Sequence, residues 1–112
     1  MTGFTHVKRV VNGKAYNTET AERIALAEQR YDKGERTWIS ETTLYRTPKG
    51  AWFLVETEWP QDKGRDKNET RTTFTAFEST KTLSSLDQAF EWVKSFQCEL
   101  LNPEYFPTIE EA

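Results

Sequence analysis

Residues 41–59, ETTLYRTPKGAWFLVETEW, hold two runs of β-branched and aromatic side chains on either side of Thr47-Pro48-Lys49-Gly50. Pro48 presets φ for the first corner of a type I turn and Gly50 supplies the left-handed residue that follows, so the stretch predicts a three-residue hairpin with a bulge. That turn pairs Arg46 with Trp52, Tyr45 with Phe53, Thr43 with Val55 and Ile39 with Trp59. Because strand side chains alternate, Ile39, Tyr45, Phe53, Val55 and Trp59 share one face. Trp38, Leu44, Arg46, Trp52 and Leu54 share the other, together with Glu56 and Glu58. Both faces are adhesive, where a hairpin resting on one layer needs only one. The first face is expected to form core beneath helices, its cross-strand pairs each contributing roughly 0.2 to 1 kcal/mol.

Outward toward the N-terminus, Asn12-Gly13 stands between two short extended runs and predicts a tight hairpin over residues 6–16. The next segment, NTETAERIALAEQRY, has Asn17 as a helix cap and Glu19 in the first turn. Ala21, Ile24, Ala27 and Tyr31 recur at helical spacing, which predicts a helix ending before Gly34. Toward the C-terminus, residues 60–70 contain no apolar side chain apart from Pro60 and read as an exposed loop. RTTFTAFES alternates as a third strand beside that of Trp59. In LSSLDQAFEWVKSFQ, Ser84 as N-cap with Asp87 three residues on is close to a capping box, and Leu86, Ala89, Phe90, Val93 and Phe96 make an apolar stripe. Two prolines exclude a regular helix from the tail, where Tyr105 and Phe106 are placed to clamp onto the body. The expected fold is α+β in a single domain over residues 1–112: an N-terminal β-hairpin, a helix, a three-stranded antiparallel meander, a C-terminal helix and an ordered tail.

A chain of 112 residues supports one core, and aromatic residues at 13% supply much of it. The formal charge of −3 comes from 15 basic and 18 acidic side chains, a mixed surface that disfavours strong binding to nucleic acid. Cys98 is the only cysteine, which excludes an internal disulfide and fits a reducing cytoplasm. The N-terminus lacks the apolar run of a signal peptide, and no stretch reaches the length of a membrane span.

Candidate chemistry is sparse. His6 has no Cys, Asp or Glu at ligand spacing and reads as a surface residue. Cys98 lacks a partner histidine or basic setting and reads as a half-buried small apolar group. Glu56 and Glu58 share one face while Glu41 points to the other, so a three-carboxylate site does not form. The isolated glycines make no phosphate-cradling loop. No catalytic residue, metal site or cofactor is assigned, and the chain is not expected to be an enzyme.

The feature that stands out is the second hairpin face. Trp and Arg dominate interface hot spots, so Trp38, Leu44, Arg46, Trp52, Leu54, Glu56 and Glu58 form the candidate partner-binding surface. The competing reading makes the same face a second core layer under a helix or the N-terminal hairpin. An alternative function is nucleic-acid binding by sheet aromatics with Lys8, Arg9, Lys14, Arg46 and Lys49 on phosphates. A monomer and a homodimer are both compatible with these features.

The elements Asn12-Gly13-Lys14, Thr18-Glu19-Thr20-Ala21, Glu41 before Leu44-Tyr45-Arg46, and Gly50 before Trp52-Phe53-Leu54 together resemble a family of small proteins carried by phages, plasmids and other mobile elements. The similarity spans roughly residues 8 to 55 and departs at VETEWP, where the family has a glycine-rich segment. The resemblance implies a mobile-element origin and a role in the cytoplasm of a host bacterium. It points to a host protein complex as partner, a CRISPR effector being the best-known target of such proteins.

Overall fold

The computed structural model describes residues 6–62 and 69–109. Among these residues, seven antiparallel strands and one α-helix follow in the order β1 (Lys8–Val11), β2 (Lys14–Asn17), β3 (Glu22–Lys33), β4 (Arg36–Arg46), β5 (Trp52–Pro60), β6 (Arg71–Phe77), α1 (Ser85–Ser95) and β7 (Glu99–Leu100). β1 and β2 form a separate hairpin, while the main sheet has the order β6-β5-β4-β3-β7. The fold is therefore mostly β. The expected α+β arrangement, with two helices over a three-stranded meander, is corrected by residues 22–33, which form the twelve-residue strand β3.

Local chemistry at the start of that segment is as the sequence suggests. The Asn17 side chain accepts from the Glu19 N–H at 2.9 Å, and the Ala21 N–H reaches the Asn17 carbonyl at 3.0 Å. Only that one capped turn forms. The chain then extends because β4 offers eleven residues of pairing, from Glu22 opposite Arg46 to Lys33 opposite Arg36. Gly34, at φ 68°, takes the positive-φ position of the two-residue turn between them. A bulge between Arg23 and Ala25 turns both Ile24 and Ala25 into the core.

The β4–β5 hairpin has the register set by its turn: Arg46 opposes Trp52, Tyr45 opposes Phe53, Thr43 opposes Val55 and Ile39 opposes Trp59. Gly50 sits at φ 89°, its N–H on the Thr47 carbonyl at 2.9 Å. The N-terminal hairpin turns on Asn12 and Gly13 at φ 51° and 76°, the two left-handed residues of a type I′ turn. β6 pairs beside β5 as the alternation requires. Residues 63–68 of the expected loop lie outside the described residues.

Both faces of the β4–β5 hairpin are covered at its turn end, by different layers. On one face the N-terminal hairpin lays Tyr16 and Val7 against Tyr45, Phe53, Val55 and the half-buried Phe74. The Tyr16 and Phe53 rings meet edge to face at 5.5 Å, and Tyr45 stacks on Phe53 at 5.0 Å. On the other face, α1 and the tail cover Ile24, Ala25, Leu44 and Trp52. Helix α1 starts on the anticipated capping box, with the Asp87 N–H on Ser84 Oγ at 3.0 Å and the Ser84 N–H on Asp87 Oδ2 at 3.3 Å. Its stripe is used only in the middle. Ala89 and Val93 are buried, Phe90 and Trp92 pack at the margin, and Leu86 and Phe96 at the two ends stay 42% and 40% exposed.

The tail acts as a strap. Leu101 and Asn102 N–H groups both donate to the Ile24 carbonyl, at 2.8 and 3.1 Å, and β7 pairs with Ala25 and Leu26 of β3. A short 3₁₀ turn at Pro103–Tyr105 then drives Phe106 into the core against Phe90 and Trp52.

Candidate functional site

The face chosen from the sequence divides along its length. Going away from the β4–β5 turn, successive rows across the sheet are Glu22/Arg46/Trp52/Phe77, then Ala25/Leu44/Leu54/Thr75, then Ala27/Thr42/Glu56/Thr73. Gln29/Ser40/Glu58/Arg71 and Tyr31/Trp38/Pro60 follow. Helix and strap cover the inner members of the first two rows and leave Glu22 and Thr75 exposed at their ends. Trp52 and Leu44, assigned from the sequence to a contact surface, are core instead, at 3% and 0% exposure. Arg46 does not lie on an exposed Trp52. Its guanidinium sits 4.7 Å from the Tyr105 ring centroid and 5.9 Å from that of Trp52, and its Nη1 donates to Tyr105 Oη at 3.3 Å. Leu54 is half-buried at the boundary, where Trp92 and Phe96 overhang a cleft of about 140 Å³ floored by Thr42, Glu56 and Thr73.

Glu56 lies at that boundary, and beyond it the sheet continues with Glu58 and then Trp38 in the next two rows of the same face. The Trp38 indole is half-buried, with Lys33 Nζ, Arg36 Cζ and Arg71 Cζ each 5.8 Å from its ring centroid. Cations at this range are drawn to the ring face and hold the indole in place from three strands. Arg36 is itself anchored, with Nη2 at 3.0 Å from Asp62 Oδ1 and 2.8 Å from Glu69 Oε2. Glu56 Oε2 accepts from Ser40 Oγ at 3.1 Å and from Thr42 Oγ1 at 3.5 Å. Glu58 accepts from the Tyr31 hydroxyl.

Tyr31, Lys33, Arg36 and Arg71 are absent from the set read off the sequence. Tyr31 and Lys33 were hidden by the helical reading of their segment. The signal that finds them is the placement of Tyr31 and Trp38 symmetrically about Gly34-Glu35, which makes them opposite members of a hairpin.

The Tyr31 phenol is pushed up from 10.0 to about 12, first by its hydrogen bond to Glu58, then by burial and the charges of Glu58 and Glu56. Below pH 10 the phenol keeps its proton folded or unfolded, so the associated stability is fully present; it is lost as pH rises through about 12. A difference titration of tyrosinate absorbance between wild type and Tyr31→Phe is expected to isolate one transition centred near 12. A transition at the ordinary tyrosine value would show that the Glu58 contact does not hold in solution.

Compared with protein-family models, curated proteins and solved structures, the chain matches none.

The remaining candidates fall as follows. Glu41 opposes Thr57 on the other face, away from Glu56 and Glu58. Cys98 is half-buried, its thiol pushed up by burial. Among the described residues no group of three or more His, Cys, Asp or Glu is placed to hold a metal ion. No described helix is long and apolar enough to cross a membrane. Of the basic residues weighed for nucleic acid, Lys8 and Lys14 stand on the N-terminal hairpin, and Lys14 and Lys49 line a shared open cavity of about 540 Å³ beside the β4–β5 turn. That end of the sheet is opposite to Trp38.

Proposed function

We propose that this chain is a non-catalytic binding protein that docks on a protein complex of a bacterial host through the uncovered end of the main sheet. The observation that carries the reading is the half-buried Trp38 indole, held by three cations, with the hydrogen-bonded carboxylates of Glu58 and Glu56 in successive rows of the same face. An aromatic ring fixed before binding loses little conformational freedom on docking, and a mixed-charge rim selects a partner by complementarity. Such a surface suits a protein better than a polyanion, because Asp62, Glu69, Glu56 and Glu58 alternate with the cations. The sequence resemblance supports a mobile-element origin, host cytoplasm as the place of action, and inhibition of a defence complex such as a CRISPR effector.

Affinity capture from a bacterial lysate with wild type and Trp38→Ala tests this. One stoichiometric complex is expected with wild type, and the variant is expected to bind it more weakly by about 2 kcal/mol or more. Trp38 lies outside both core clusters, so the variant should keep its thermal transition within a few degrees. Equal capture by the two proteins would remove Trp38 from the interface.

A second reading, single-stranded nucleic acid stacked on Trp38, draws on the same three cations. It predicts affinity that falls steeply with salt.

A further inference from the structure

We infer that the β6 edge of the main sheet is a self-association site, where a second copy of this chain adds its own β6 antiparallel to form one continuous sheet across two molecules. β6 is a terminal strand, and among the described residues nothing pairs with its outer side. Thr72, Thr73 and Thr75 are exposed. Alternate N–H and C=O groups of a strand with one neighbour point outward, and proteins ordinarily blunt such an edge with charge, proline or a covering element.

The opposite edge of this sheet is blunted in that way. β7 takes up Ala25 and Leu26, and beyond it β3 carries Glu28, Arg30, Asp32 and Lys33. β6, RTTFTAF, has a single charged residue at its first position and no proline.

The strand is also its own complement. An antiparallel register centred on Phe74 sets Thr73 against Thr75 of the second copy, Thr72 against Ala76, and Arg71 against Phe77. Every opposed pair then lies on a common face, no like charges meet, and Arg71 falls beside an aromatic ring. Phe74 meets its counterpart on the hairpin side, where it is only half-buried now. On the helix side the 40% exposed Phe96 overhangs Thr73 and Thr75, so the second copy would close the open flank of that cleft. A strand from an unrelated protein could use the same hydrogen bonds, but would have to match this face pattern independently.

The test is the mass of the full chain in solution by sedimentation equilibrium across the micromolar range. A dimer of twice 13.1 kDa is expected, with the Thr73→Lys/Thr75→Lys double variant raising its dissociation constant by roughly tenfold or more through two like-charged pairs. Both positions are exposed, and an unchanged circular dichroism spectrum separates dissociation from unfolding. The register is checked with single-cysteine chains, each also carrying Cys98→Ser. Thr73→Cys and Thr75→Cys chains are expected to cross-link to each other faster than either does to itself. A wild type that stays monomeric, a double variant that dimerises as wild type does, or cross-linking with no preference for the mixed pair would overturn the inference.

Discussion

Trp52→Ala is expected to lower the free energy of unfolding by about 3 to 5 kcal/mol, measured by urea titration. That is a large part of the roughly 5 to 15 kcal/mol that holds a small domain together. The indole is 3% exposed and meets the Tyr105 ring edge-on at 5.5 Å and the Phe106 ring at 5.7 Å. Arg46 lies within 5.9 Å of its centroid. Removing it leaves a cavity at the point where the strap crosses the sheet, and the strap cannot fill it without breaking the two bonds to the Ile24 carbonyl. Amides of residues 98–106 should therefore lose hydrogen-exchange protection before those of the N-terminal hairpin. A cost below about 1 kcal/mol would mean that the strap does not rest on Trp52 in solution.

Phe53→Ala is expected to cost a similar amount, about 3 to 5 kcal/mol, while loosening the opposite layer. Phe53 is fully buried and lies among Tyr16, Tyr45 and Phe74, with ring centroids 5.0 to 5.5 Å away. Tyr16 is the main anchor of the β1–β2 hairpin, so exchange protection over Lys8–Asn17 should fall first. The two residues are adjacent in the chain, point to opposite faces and share no ring contact. Their double variant tests whether the layers are independent: near-additive losses fit two separate cores, and strong coupling would show that the sheet transmits strain between them. The pair also explains why residues 41–59 carry large side chains on both faces.

What the sequence disclosed followed from local chemistry. The Asn12-Gly13 turn, the Pro48 to Gly50 turn with its register, and the Ser84–Asp87 cap are each fixed by two or three neighbouring residues, and each stands in the structure. The segment from residue 22 to 33 was misread for two physical reasons. Glu, Ala, Leu, Gln and Arg are good helix formers, but intrinsic preferences of a few tenths of a kcal/mol per residue yield to a full-length pairing partner. The bulge at Ile24 also breaks the two-residue alternation, so Ile24, Ala25 and Ala27 all turn inward and imitate helical spacing. The candidate site was half legible for the same reason. Alternation put Trp38, Glu56 and Glu58 on one face, but only the packing of α1 and the strap decides how far along that face Leu44 and Trp52 become core.

The strap has a consequence for biosynthesis. Leu44 and Trp52 leave the ribosome well before the helix and Phe106 that shield them. At roughly 5 to 20 residues per second the newborn chain displays that aromatic face for a few seconds. Until Phe106 emerges, it is a natural client for chaperones, and truncation before Phe106 would make that exposure permanent.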